Sequence, residues 1–142
     1  VDPGPYLDEV HDISLDHLEV DQALRDHITA LPGRRIVYTN GPQVHAERVL
    51  AARGLSGAFD AIYGVEHAGF RPKPERAAFE TVFAADGVET AAAAMFEDDP
   101  RNLEAPHEMG MRTVHVAPEP EPAKHIHHHT DDLGAFLASL RG

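Results

Sequence analysis

The stretch Met95-Phe96-Glu97-Asp98-Asp99-Pro100-Arg101-Asn102-Leu103 decides the fold predicted for this chain. It continues an apolar run that begins at Ala91, and that run ends on consecutive carboxylates. Pro100 then begins a segment, residues 101–109, that we predict to be helical. A buried strand that ends in acidic side chains beside a helix N-terminus is typical of the ligand-binding edge of an open parallel α/β sheet.

The adjacent carboxylates Glu97, Asp98 and Asp99 have two interpretations. Neighbouring negative charges repel, which a protein tolerates at its surface or where a hard cation such as Mg²⁺ accepts their oxygens. Asp99 lies directly before Pro100 and also fits a helix N-cap, with proline at the first helical position. The residues alone leave Asp99 open between these roles and favour the cation for Glu97 and Asp98.

Composition excludes several classes of function. The chain has 142 residues, enough for one domain with a real core. Its net charge of -12 argues against sequence-independent binding to nucleic acid or to an anionic membrane. It has no cysteine, and no apolar run approaches the roughly 20 residues of a membrane span. We therefore predict a soluble cytoplasmic protein, and the opening Val1-Asp2-Pro3-Gly4-Pro5 suggests a fragment of a longer one.

Hydrophobic periodicity predicts strands that alternate with helices of about ten residues. The predicted strands are 35–39, 59–63, 91–96 and 113–116. The predicted helices are 21–31, 44–53, 74–85, 101–109 and 131–140, the last capped by Thr130. This alternation predicts a parallel sheet with helices on both faces.

Two further stretches follow strands or precede helices. Thr39-Asn40-Gly41 offers a hydroxyl, an amide and a bare glycine at a helix N-terminus, which suits a small anion but also an ordinary strand-to-helix turn. In Arg71-Pro72-Lys73-Pro74, the flanking prolines restrict the backbone, so the Lys73 ammonium can be aimed at a phosphate or at carboxylates. A solvated lysine in a proline-rich loop is the alternative.

The order of these stretches resembles the haloacid dehalogenase-like (HAD) hydrolase superfamily, and more narrowly its pyrimidine 5′-nucleotidase-like branch. Residues 36–41 resemble motif II, Lys73-Pro74 resembles motif III, and residues 96–103 with Gly110-Met111 resemble motif IV. The resemblance covers roughly residues 8 to 140. It implies a Rossmann-like three-layer α/β/α core at 21–142, with residues 1–20 as a remnant of a helical cap and its connector.

The resemblance also implies roles for individual residues. Thr39 and Asn40, with Gly41, would hold the oxygens of a transferring phosphoryl group, and Lys73 would offset their charge. Asp98 would coordinate Mg²⁺ with the assistance of Glu97. The implied substrate is a small-molecule phosphomonoester, a pyrimidine nucleoside 5′-monophosphate, with no nucleic-acid or membrane partner.

One part of the family pattern is absent. Motif I, a strand that ends in Asp-x-Asp and supplies the nucleophile, does not occur in this sequence. We therefore expect this chain alone to be inactive. By the family's topology that strand lies between the strands of motifs II and IV, which would otherwise expose their edges. We expect either that another polypeptide segment supplies it or that the strands close up and the chain self-associates.

Alternative functions stay open at this stage. Another HAD phosphomonoesterase or phosphotransferase fits the same motifs, whereas a dehalogenase fits the Glu97-Asp98 pair less well. A non-catalytic interaction module on the same scaffold would also lack the nucleophile. The histidines 125 and 127–129, predicted on a strand or loop edge, raise a metal store as a further alternative. His115 is predicted to be a core or rim histidine, and Arg101 is open between a substrate phosphate and solvent.

Overall fold

Parallel strands alternate with helices in the computed structural model, which describes residues 21–141. The predicted cap remnant at residues 1–20 lies outside the described residues. The helices are α1 (Gln22–Thr29), α2 (Gln43–Ala52), α3 (Arg76–Asp86), α4 (Glu104–Glu108) and α5 (Leu133–Arg141). The strands are β1 (Ile36–Tyr38), β2 (Ala61–Tyr63), β3 (Ala94–Glu97), β4 (Arg112–Val116) and β5 (His128–Thr130). The predicted α/β fold class is thereby confirmed.

The described strands form two parallel sheets rather than one. One sheet has the order β1-β2 and the other the order β3-β4-β5. Within the described part of the chain, β1 and β3 are not hydrogen-bonded to each other. We expected either that another segment supplies a strand between β1 and β3 or that these two strands close up. The described strands have not closed up.

Helices cover both faces of the sheets, because side chains along each strand alternate between two apolar clusters. Val37 of β1 belongs to a cluster with residues of α1, α2 and α5, whereas its neighbour Tyr38 belongs to a cluster with residues of α3 and α4. In β3, Phe96 packs against the first cluster and Met95 lies in the second. The result is the three-layer α/β/α arrangement.

Carboxylate side chains cap the first and the last helix. The Leu24 amide donates to Asp21 Oδ1 over 2.9 Å at the start of α1. The Ala135 amide donates to Asp132 Oδ1 over 3.0 Å at the start of α5. The predicted cap, Thr130, instead accepts a bond from the Asp132 amide. The side chain that caps α5 is therefore that of Asp132, two residues after the predicted Thr130.

Two other elements differ from their predictions. β3 begins only at Ala94, because Thr90–Ala92 forms a 3₁₀ turn, as alanines favour helical over extended backbone. The predicted helix 101–109 divides into a 3₁₀ turn, Pro100–Leu103, followed by α4. Within residues 21–141, none of these helices is long and apolar enough to cross a membrane.

Candidate active site

A buried lysine joins the carboxyl ends of β1 and β3. Lys73 is 4% exposed, and its Nζ donates to the Tyr38 carbonyl oxygen over 3.2 Å and to Glu97 Oε2 over 3.4 Å. The same Nζ lies 4.9 Å from the centroid of the Tyr38 ring, a cation–π distance. Of the two alternatives for Lys73, the solvated lysine is therefore not the one observed, and the ammonium lies where β1 and β3 end.

The side chain of Asn40 holds the backbone of Lys73. Asn40 Oδ1 accepts from the Lys73 amide over 2.8 Å, and Asn40 Nδ2 donates to the Lys73 carbonyl over 3.3 Å. These paired bonds fix the loop that carries the ammonium. The side-chain amide of Asn40 thus positions Lys73, and its predicted role towards phosphoryl oxygens stays a prediction.

Both carboxylate oxygens of Glu97 are engaged by neighbouring side chains. Oε2 accepts from Lys73, and Oε1 accepts from Asn102 Nδ2 over 2.6 Å. Glu97 is fully buried, so these bonds offset the cost of removing its charge from water. Glu97 therefore holds the Lys73 ammonium in place.

Asp98 lies one residue further along, where β3 has ended. It is half-buried, and its backbone carbonyl oxygen accepts from His115 Nε2 over 2.9 Å. His115 lies opposite Glu97 in the register of β3 and β4 and is fully buried, as predicted for a core histidine. Since a carbonyl only accepts, His115 carries its proton on Nε2. The backbone around Asp98 is therefore fixed from the neighbouring strand.

Asp99 acts as a cap. Its Oδ1 accepts from the Arg101 amide over 3.0 Å, and Arg101 Nη2 lies 2.8 Å from Asp99 Oδ2. The hydrogen bonds from Arg101 lower the pKa of the Asp99 carboxyl by more than burial raises it, so this pKa lies below its usual value. Of the roles left open, the cap for Asp99 is thus the one observed, and Arg101 is paired with it.

The Thr39-Asn40-Gly41 turn leads into α2, as predicted. Thr39 is 3% exposed, and its Oγ1 accepts from the Gly41 amide over 3.1 Å. The first amide of α2, that of Gln43, donates to both oxygens of Glu66 over 3.2 and 3.3 Å. A carboxylate of the chain itself therefore already lies at the Gln43 amide, and the predicted binding of an anion at this turn stays a prediction.

A Mg²⁺ ion fits part of the predicted ligand set. Among residues 21–141, no group of three or more His, Asp or Glu side chains is placed to hold a metal ion. Mg²⁺ usually needs only one or two protein carboxylates, since water and substrate phosphate complete its octahedron. Asp98 suits such a role. The oxygens of Glu97 also accept from Lys73 and Asn102, and its assistance to the metal ion stays a prediction.

The histidine cluster is bound to backbone groups. His125 Nε2 lies 2.9 Å from the Pro100 carbonyl, and His129 Nε2 lies 2.7 Å from the Ala117 carbonyl. His127 Nδ1 accepts from the Thr113 amide over 3.0 Å. These contacts attach β5 and the preceding loop to β4, to Ala117 after it and to the turn that begins at Pro100, which gives these histidines a structural role.

The matched sequence region gives the family. Residues 5–116 match the haloacid dehalogenase-like hydrolases. The chain belongs to the haloacid dehalogenase-like hydrolase family. No match was found among curated proteins.

Several solved structures share the fold of this chain. An L-2-haloacid dehalogenase from Xanthobacter autotrophicus with covalently bound chloropropionic acid has a TM-score of 0.69 at 20% identity, over 85% of this chain and 59% of that one. A putative HAD-hydrolase from Bacillus subtilis bound to magnesium has a TM-score of 0.70 at 18% identity, over 84% and 54%. A putative β-phosphoglucomutase from Thermotoga maritima has a TM-score of 0.68 at 19% identity, over 84% and 57%. This chain thus spans little more than half the length of each of these three structures.

Proposed function

We propose that this chain is the phosphoryl-binding part of a Mg²⁺-dependent HAD phosphomonoester hydrolase that acts on pyrimidine nucleoside 5′-monophosphates. One observation carries the proposal. The ammonium of Lys73 is held without solvent contact at the sheet edge where Thr39 follows β1 and Asp98 follows β3. A cation, a hydroxyl and a carboxylate at one edge are the groups that a phosphoryl site requires.

Burial strengthens the contribution of Lys73. A charge in a medium of low effective dielectric constant interacts more strongly with a phosphoryl oxygen than the same charge does in water. The Tyr38 carbonyl, Glu97 and the Asn40 clamp hold the ammonium in place, so little ordering remains to be lost on binding. Thr39 would donate its hydroxyl to a second phosphoryl oxygen.

Asp98 would hold Mg²⁺ together with water and a substrate oxygen. When bound, the ion would neutralise negative charge on the phosphoryl group. The His115 bond to the Asp98 carbonyl fixes the backbone from which this carboxylate projects. Glu97 would act indirectly, by holding Lys73.

The nucleophile is the group that this sequence does not supply. No Asp-x-Asp occurs in the 142 residues, and the carboxylate that attacks phosphorus in an aspartyl-phosphate mechanism would come from a segment outside them. We therefore expect the chain to bind a phosphomonoester weakly in the presence of Mg²⁺ and not to hydrolyse it.

Titration calorimetry with uridine 5′-monophosphate tests this proposal on the chain as it is. We expect binding that needs Mg²⁺ and that weakens about tenfold or more in Asp98→Asn and in Thr39→Val, each removing one charged or polar contact. Asp131→Asn is the matched control, because it removes one exposed carboxylate that has no role in the proposed site.

Three results would contradict the proposal. Equal affinity for the nucleotide with and without Mg²⁺ would contradict the proposed role of Asp98 as a Mg²⁺ ligand. Binding of 2-chloropropionate in preference to the nucleotide would favour a dehalogenase. Release of inorganic phosphate by the homogeneous chain would show that a nucleophile is present after all.

A further inference from the structure

Phe70, in the loop between β2 and Lys73, combines two features that do not stabilise the fold. Its side chain is 74% exposed, although phenylalanine is among the residues most often fully buried. Its backbone has φ 61°, in the left-handed region where a residue with a Cβ is strained. An exposed apolar side chain needs no explanation on its own. Exposure together with backbone strain points to a contact outside the fold, because strained residues cluster at ligand-binding sites.

The loop that carries Phe70 is fixed to the candidate site on both sides. The Val65 amide donates to the Gly41 carbonyl over 3.0 Å, and the Val65 carbonyl accepts from the Phe70 amide over 3.0 Å. On the other side, the Lys73 amide donates to Asn40 Oδ1 over 2.8 Å. Three residues of chain separate the Cα atoms of Phe70 and Lys73, which therefore lie within about 11 Å of each other. Phe70 is thus held beside the turn that follows β1.

The polar groups of the candidate site are buried, whereas the ring of Phe70 is not. Thr39 and Lys73 are 3% and 4% exposed, and their hydroxyl and ammonium suit a phosphoryl group. A nucleoside monophosphate has a charged phosphate at one end and a flat base at the other, with a ribose between them. Buried polar groups with an exposed aromatic ring nearby match these two ends.

The fold itself does not require an aromatic ring at this position. Gly69 and Phe70 follow each other with φ 68° and φ 61°. Glycine or asparagine at position 70 would adopt the same backbone with less strain. Because the ring is mostly exposed, its burial offsets little of that strain. The bonds to Val65 and Lys73 hold the ring close to the site before a ligand binds, so little ordering is lost on binding.

We infer that the ring of Phe70 stacks on the base of the bound nucleotide and so selects phosphomonoesters that carry an aromatic ring. This inference rests on the proposed function, because it requires the phosphoryl group to bind near Lys73. A base stacked on an aromatic side chain raises affinity by about tenfold, and stacking accepts any base because each has a π face. Phe70 therefore adds affinity for the base, whereas Thr39 and Lys73 hold the phosphoryl group of any substrate.

Titration calorimetry in the presence of Mg²⁺ compares uridine 5′-monophosphate with ribose 5-phosphate, which keeps the sugar and the phosphate but has no base. We expect the wild type to bind the nucleotide about tenfold more tightly. Phe70→Asn should bind the nucleotide about tenfold more weakly than the wild type and ribose 5-phosphate equally well. Phe70→Tyr keeps a stacking ring and should bind both ligands like the wild type. Leu140→Ala is the matched control, because Leu140 is an apolar side chain on α5 that is 59% exposed.

Each other outcome overturns the inference. If the wild type binds both ligands equally, or if Phe70→Asn keeps the preference for the nucleotide, Phe70 does not contact the base, and the proposed phosphoryl site still stands. Equal weakening of both ligands in Phe70→Asn would show that Phe70 acts only through the loop that carries Lys73. Binding of neither ligand by the wild type would refute the proposed function, and the inference would fall with it.

A second experiment detects the contact directly. The sequence has no tryptophan, so Phe70→Trp introduces a single fluorescent indole at this position. A base stacked on the indole quenches its fluorescence. We expect uridine 5′-monophosphate to quench this variant in the presence of Mg²⁺ and ribose 5-phosphate to leave its fluorescence unchanged. Equal quenching by both ligands, or no quenching when calorimetry shows that the nucleotide is bound, would refute the stacking contact.

Discussion

Lys73 and Glu97 form an ion pair from which solvent is excluded, with side chains 0% exposed and Nζ 3.4 Å from Oε2. A buried pair gains Coulomb energy, but both ions lose their hydration. Its net contribution to stability is therefore small, whereas removal of one partner alone leaves an uncompensated buried charge and destabilises the fold. Because the pair connects the loop before α3 to the end of β3, it also fixes the site geometrically.

The first prediction concerns this pair. Lys73→Met removes the ammonium that pairs with the buried Glu97 carboxylate, and we expect the free energy of unfolding to fall by about 3 kcal/mol. Glu97→Gln should cost a similar amount, whereas the double variant Lys73→Met/Glu97→Gln should cost less than the sum. Urea denaturation of the four proteins gives the coupling energy. Arg76 is the matched control, because it forms exposed ion pairs with Glu80 and Glu108, and Arg76→Met should cost less than about 1 kcal/mol. Equal costs for Lys73→Met and Arg76→Met would contradict the prediction.

The second prediction concerns pH and Asp86. Burial alone would raise the pKa of the Asp86 carboxyl, but bonds from Arg34 and Tyr63 outweigh it and hold the pKa below its usual value. A lowered carboxyl pKa adds stability above the unfolded-state pKa, about 3.9, and this stability is lost as pH falls through the folded-state pKa.

Asp86→Asn should therefore lower the free energy of unfolding by about 1 to 2 kcal/mol at neutral pH. The difference from wild type should shrink below about pH 4. Urea denaturation of both proteins between pH 7 and pH 3 measures it, with Asp131→Asn as the control for the loss of one negative charge. A difference that is constant over this range would disprove the role of the Asp86 carboxylate.

The third prediction compares two glycines beside the α2 N-terminus. A Cβ at Gly64 would lie 2.5 Å from the Gln43 amide and 2.8 Å from the Gly41 carbonyl, and neither backbone atom can move cheaply. Gly64→Ala should therefore destabilise the fold by about 2 kcal/mol or more. A Cβ at Gly41 would meet only Thr39 Oγ1 at 3.6 Å, an ordinary contact, so Gly41→Ala should fold normally. Thermal unfolding of both variants is the measurement, and equal melting temperatures would show that the backbone around Gly64 can accept a methyl group.

Much of the fold was predictable because it depends on local patterns. The apolar run before Glu97 and the β-branched residues before Thr39 predict buried strands, and the helix periodicity predicts the helices between them. For β5 the sequence predicted only that the histidines lie on a strand or loop edge. Its His128–Thr130 segment becomes a strand through backbone pairing with β4, which only the tertiary fold provides.

The sequence predicted which residue types form the candidate site. It predicted few of their hydrogen-bond and ion-pair partners. Lys73 was singled out from its flanking prolines, but its partners on β1 and β3 come from distant parts of the chain. Glu66 lies 23 positions from the Gln43 amide that it accepts from, so no local motif reveals it. The contacts of Asn102 and His115 were missed for the same reason: each acts on the acidic stretch through the fold.

The last prediction concerns Phe70, which lies in the loop before Lys73. Phe70 has φ 61° and is 74% exposed, so its left-handed backbone is strained and little apolar burial offsets the strain. Asparagine tolerates this conformation better than phenylalanine, and Phe70→Asn should raise the free energy of unfolding by about 0.5 kcal/mol. The neighbouring Gly69 has φ 68°, and a Cβ added there would meet nothing within 4 Å. Gly69→Ala should therefore lower the free energy of unfolding by about 1 kcal/mol through backbone strain alone. Urea denaturation of both variants measures these opposite changes in the free energy of unfolding. A lower value for Phe70→Asn would contradict the prediction, because it would mean that contacts of the Phe70 ring stabilise the fold by more than the backbone strain destabilises it.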